Sequence, residues 1–204
     1  MLETHCEKNL VINGRELKYS GIFRSDELFA AINQALRERG YERREKKTEE
    51  TVTVEGKRTL IELRPYKEKT SYVALMLKIR IILEKVTETV QPRPGQQYKE
   101  KFQQGDILLI FDAWSMTDYE ARWGLKPWAY FLKGLINKFL YTWPLEAGFM
   151  GEVMSDTAYI YARAKKLLLS YQPERAKPPA EEEIRRKVEE EMEEEMKQGL
   201  KEAE

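Results

Sequence analysis

Between Val73 and Leu83 every odd-numbered position (Val73, Leu75, Leu77, Ile79, Ile81 and Leu83) is aliphatic, while Lys78, Arg80 and Glu84 stand at even positions. A period of two is that of an extended strand, whose successive side chains point to opposite sides. Such a strand has one apolar face to bury and two rows of backbone groups to pair, so it needs both neighbouring strands and a covering layer. Asp106 to Trp114 has the same character, and the Pro- and Gly-containing stretch Gln91-Pro92-Arg93-Pro94-Gly95 between the two reads as a turn. An antiparallel return that sets Leu83 beside Ile107 brings Lys78 to Asp112. Ile107, Leu109, Phe111 and Ala113 then join the odd-numbered aliphatics on the core face, and Asp112 neutralises a basic neighbour on the other. A slip of one residue would reverse every one of these assignments.

The flanking segments supply the remaining parts. Glu16 to Phe23 reads as a strand, and Ser25-Asp26-Glu27 offers an N-cap and first-turn acids for a helix carrying Leu28, Phe29, Ile32 and Leu36, ended by Gly40. Glu50 to Glu55 and Arg58 to Arg64 form a hairpin around Glu55-Gly56-Lys57. Pro127 suits the first turn of a helix through Phe131, Leu132, Leu135, Ile136, Phe139 and Leu140, stopped by Pro144. Apolar residues from Phe149 to Tyr171 recur at helical spacing, as expected of a helix lying lengthwise on the sheet. The expected fold is α+β, an antiparallel sheet of about five strands packed against helices. A globular domain spans 1–172, a Pro-containing linker 173–180, and an acidic C-terminal helix 181–204. In that last helix Ile184, Val188, Met192, Met196 and Leu200 make a stripe one residue wide, which suits a mostly solvated helix, a weak coiled-coil strand or a helix docked on a partner, the first being the expectation.

Composition narrows the classes. The formal net charge of zero hides a division: residues 180–204 hold 11 acidic and 5 basic side chains, leaving 24 and 30 in residues 1–179. Cys6 is the only cysteine, and Met1 to His5 carries neither the basic region nor the apolar run of a secretion signal, so a reducing, cytoplasmic location is expected. The most apolar segment, Trp128 to Trp143, is interrupted by Lys133, Asn137 and Lys138, and no transmembrane span is expected. Its Trp, Phe and Leu content beside Lys126, Lys133 and Lys138 suits a membrane-surface helix, but a sheet needs covering helices, so core packing is the expectation.

No nucleotide-binding glycine motif, Gly-x-Ser-x-Gly or Cys-x-x-Cys occurs, and the one histidine, His5, lies near a terminus. A Ser or Cys nucleophile would lack its usual base, and His5 with Cys6 makes only half a metal site. No catalytic residue, metal or cofactor is assigned. The densest unusual stretch runs from Trp114 to Trp128, where Asp118, Glu120 and Arg122 lie among three indoles. Ion pairing or stacking by Arg122 would fix such a loop without any chemistry.

The order strand, helix, several antiparallel strands and long helix over residues 16–171 resembles the START-like helix-grip superfamily, with one helix instead of two after the first strand. That resemblance implies a curved sheet around a long helix and an apolar cavity. The stretch from Asp118 to Trp123 and on through Lys126-Pro127 also looks like one in small archaeal proteins, a likeness that implies no activity. Three functions fit these features. A non-enzymatic interaction protein, or a self-associating one, would use the second sheet face, where Met76, Ile82, Leu108, Ile110 and Trp114 mix with Lys78, Arg80 and Asp112. A carrier would hold a hydrophobic or aromatic small molecule among Trp114, Trp123, Trp128 and Tyr161. An RNA-associated protein would use the basic run Arg37 to Lys47. The interaction protein asks least of the sequence.

Overall fold

The computed structural model describes residues 7–54, 56–70, 73–92, 99–117, 128, 131–132, 135, 146–172 and 179–202. In chain order these form β1 (Glu7–Phe23), α1 (Ser25–Glu38), β2 (Glu45–Thr53), β3 (Gly56–Leu63), β4 (Tyr66–Glu68), β5 (Val73–Pro92), β6 (Lys99–Thr117), α2 (Glu146–Ser170) and α3 (Glu181–Glu202). The fold is α+β. Its six-stranded antiparallel sheet runs β1-β6-β5-β3-β2, with β4 also on β5, beside β3. The strand beyond the expected five is β4, whose three residues are too few to show a period.

The expected register holds. Leu83 pairs with Ile107 and Lys78 with Asp112. All six odd-numbered aliphatics of β5 are buried together with Ile107, Leu109, Phe111 and Ala113 of β6. Helix α2 lies on this inner face, contributing Val153, Met154, Ala158, Ile160, Tyr161 and Leu168 to one continuous core. The Tyr161 ring rests 5.7 Å from that of Phe111.

Helix α1 joins the same core through Leu28, Ile32, Ala35 and Leu36. Its N-cap is Arg24, one residue before the serine expected there, and no side chain caps it. Instead Gln103 of β6 accepts the Ser25 amide at 3.1 Å, and Arg24 pairs with Asp26 at 2.6 Å. The C-terminus behaves as read. Gly40 (φ 76) donates to Arg37 and Tyr41 to Leu36, the paired bonds of a Schellman ending.

Helix α3 corrects the sequence reading. Ile184, Val188 and Met192 are buried in the main core, and Met196 packs against it. A stripe one residue wide is sufficient because the helix seats in the angle between α2 and β1 rather than on a flat face. Arg15 of β1 pairs with Glu191 and, at 2.9 Å, with Glu195, while Arg185 donates to Ser155 of α2 at 2.7 Å. Of the tail's acids, Glu181, Glu191 and Glu195 are thus partnered by cations of the body. Residues 173–178 of the expected linker lie outside the described residues.

Core packing of the helix expected after Pro127 is not found at its four described positions. Trp128, Phe131, Leu132 and Leu135 are helical, with exposures of 63%, 74%, 36% and 45%. Among the described residues no helix is long and apolar enough to cross a membrane.

Strand β5 carries a bulge. Lys85 has φ 53, and the pairing of β5 shifts there against both β6 and β3. Gly56 and Gly105 flank this bulge, where a Cβ on either would come within 2.9 Å and 2.7 Å of the backbone of Lys85 and Glu84. Bulges of this kind increase the twist and curve the strand.

Candidate interaction surface

Helices α1, α2 and α3 all pack on one side of the sheet, and the other, outer face is built by strand residues. Cross-strand register arranges it in rows. At one end Leu10, Trp114, Met76 and Tyr66 follow one another across β1, β6, β5 and β4. Nearer the bulge, Lys18, Leu108, Ile82 and Leu60 do the same across β1, β6, β5 and β3. Between these lie two mixed rows: Glu16, Ile110, Arg80 and Glu62, then Asp112 and Lys78. The result is two apolar bands separated by a charged one.

The central band is ordered by Asp112, the most buried of the eight residues expected on this surface. One carboxylate oxygen accepts the Gly14 amide at 2.7 Å and the other accepts Arg80 Nη2 at 3.1 Å. Gly14 has φ 67 and sits where β1 slips register against β6, so the slip turns its N–H toward Asp112. The ionic partner is thus Arg80, diagonal to Asp112, rather than Lys78, which faces it directly. A diagonal guanidinium reaches a carboxylate held close to the sheet, and the shared bond fixes both. Met76, Lys78, Arg80, Ile82, Leu108 and Ile110 are each half-buried. Ala74 and Met116, with Met76 and Trp114 packed on them, form a small hydrophobic cluster separate from the main core.

Other expected residues are not brought together. Trp114 is on the outer face, whereas Tyr161 projects from α2 into the core on the inner one, so these two do not line one cavity. Trp128 is exposed, and Trp123, Asp118, Glu120 and Arg122 lie outside the described residues. The basic run from Arg37 is largely engaged. Arg39 stacks on Tyr159 at 4.2 Å, Arg44 on Tyr66 at 3.8 Å, and Arg43 and Lys47 pair with Glu45 and Glu49 at 2.9 and 2.7 Å.

An ionic cluster that the sequence reading did not single out anchors the opposite side. Lys67 of β4 donates to Glu152 and Asp156 of α2 at 2.6 and 3.1 Å, and Lys69 also reaches Glu152 at 2.9 Å. Arg39 lies 3.6 Å from the other oxygen of Asp156. Burial opposes the Lys67 charge, but the bonds to both carboxylates outweigh it and hold the ammonium pKa above the ordinary lysine value. Burial likewise works against the Glu152 carboxylate, whose pKa the two lysines bring below the usual range. Tyr41 is buried next to this group, and burial first, then the Asp156 charge, pushes its hydroxyl pKa up. The sequence signal was Asp156, an acid standing between Val153 and Ile160 on the apolar side of a helix. These charges neutralise one another and clamp α2 to β4 and α1, which is a structural use of carboxylates rather than acid–base chemistry.

Among the described residues no group of three or more His, Cys, Asp or Glu side chains is placed to hold a metal ion. No family model matches the chain, and neither the curated proteins nor the solved structures contain a significant match.

Proposed function

We propose that this chain is a non-enzymatic interaction module that docks a protein partner on the outer face of its sheet. The observation that carries the reading is the banded outer face, with half-buried Met76, Ile82, Leu108, Ile110 and Trp114 left uncovered by α1, α2 and α3. A mixed apolar and charged surface of this kind is typical of interfaces that form between separately stable proteins. The apolar bands supply burial. The Asp112–Arg80 pair, already fixed in place, offers a partner oriented charge without an ordering cost.

The helix-grip resemblance supports a second reading as a small-molecule carrier through strand order and the long α2 across the inner face. Against it, the described inner face is filled by α2 side chains. The RNA reading draws less support, since most of its cations have acidic or aromatic partners within the chain.

The test uses full-length protein isolated from its native source and analysed by native mass spectrometry, alongside the double variant Ile82→Lys, Leu108→Lys. Removing residues after Gln172 is no substitute, because it would strip three buried side chains from the core. A protein partner held at least tenfold more weakly by the double variant, equivalent to about 1.4 kcal/mol, with the melting temperature retained, is the expected result. A small molecule retained by both forms, or a partner held equally by both, sinks the outer-face reading.

A further inference from the structure

The four described positions after Pro127 fall at i, i+3, i+4 and i+7, so Trp128, Phe131, Leu132 and Leu135 share one helical face. Every one of them is substantially exposed. A stripe of large apolar side chains left open to water needs an occupant, and the surrounding sequence indicates its charge. From Ala121 to Leu145 the chain has no acidic residue, although 35 of its 204 residues are Asp or Glu. The same 25 residues contain four cations (Arg122, Lys126, Lys133 and Lys138) and seven aromatics, including three of the four tryptophans.

We propose that the Trp128, Phe131, Leu132 and Leu135 stripe is a lipid-surface anchor that binds anionic bilayers. Trp and Phe favour the boundary between headgroups and acyl chains, where an amphipathic helix lies in the plane of the membrane. The cations would meet lipid phosphates, and the absence of carboxylates removes the repulsion that an acid-rich chain otherwise meets at such a surface. A protein partner would explain the exposed stripe but gives no reason for the loss of acids over the whole segment. The anchor stands apart from docking by the outer sheet face, and either can fail without the other.

The test is co-sedimentation of the full-length chain with vesicles of phosphatidylcholine alone and with added phosphatidylglycerol, at low and high salt. The expected outcome is binding to the anionic vesicles that weakens at least tenfold in high salt and is lost in the double variant Phe131→Glu, Leu135→Glu. These positions are exposed, so the variant should keep the melting temperature of the parent. Should it melt earlier, Lys133→Glu with Lys138→Glu decides the matter by abolishing the preference for anionic over neutral vesicles. No binding to anionic vesicles at low salt, or equal binding by the variants, overturns the proposal. So does a vesicle-free dimer that the Glu variants dissociate, which would make a second copy of the chain the occupant.

Discussion

Lys85 holds a left-handed backbone (φ 53) in the middle of the sheet's longest strand, a conformation that costs a side-chain-bearing residue about 1 kcal/mol relative to glycine. Since its side chain is exposed, Lys85→Gly should raise stability by about that amount in chemical denaturation. Gly105→Ala should act in the opposite direction. Its Cβ would meet the Glu84 carbonyl oxygen at 2.7 Å and the Val86 Cα at 3.2 Å, backbone atoms with nowhere to go, at a cost of about 2–3 kcal/mol. Equal stability of parent and alanine variant would mean that the bulge is not formed as described. At the ionic clamp the sign follows from the folded-state shifts. Glu152 has a lowered pKa, so its contribution is present above the unfolded value of about 4.3 and disappears as pH falls through the folded one. Lys67 has a raised pKa, so its contribution is complete below about 10.4 and disappears as pH rises through the folded value. Glu152→Gln should therefore lose about 1 kcal/mol at neutral pH, allowing for partial exposure, with the gap to the parent closing in acid. A gap that stays constant from neutral pH to acid would show that the carboxylate charge is not what binds α2. Asp156→Ala, which leaves Lys67 with Glu152 alone and takes the carboxylate away from Arg39, should cost more, about 2 kcal/mol.

Among the elements, α3 separates what its sequence conveyed from what it did not. Its helical character was plain from the recurrence of Ile184, Val188 and Met192 every four residues, and so was its acidity. Its seat was not, because a narrow stripe fits a solvated helix equally well, and the angle between α2 and β1 exists only once the sheet is built. Val188→Asp should expel it, placing a carboxylate among buried apolar groups in a helix already crowded with acids, at about 2–3 kcal/mol. Amide hydrogen exchange provides the readout: fast exchange across 181–197 in the variant and slow exchange in the parent are expected. Rapid exchange in both would mean that the helix is detached from the outset. Strands β5 and β6 were legible down to their register because a period of two fixes which side chains face inward. β4 was invisible at three residues, and β1 reads as starting at Glu16 rather than Glu7 because the bulges around Leu10, Ile12 and Arg15 break its alternation.

For the molecule as a whole, the fold class followed from alternation in two strands and helical spacing in the segments around them. The outer face was legible for the same reason, since naming the inward side chains names the outward ones. What the sequence withheld were the contacts made at long range: Arg80 rather than Lys78 on Asp112, the clamp of Lys67 with Glu152 and Asp156, and the docking of α3. Each depends on where separate elements meet, and no local period encodes that. One of those meetings bears on how the chain is made. β1, made before its partner strand, pairs among the described residues with β6 alone, and Gly14 and Asp112, which share a hydrogen bond, are 98 residues apart. Until β6 is made, β1 has none of its described strand partners to lie against, so its apolar side chains stay unpaired through the synthesis of everything between them.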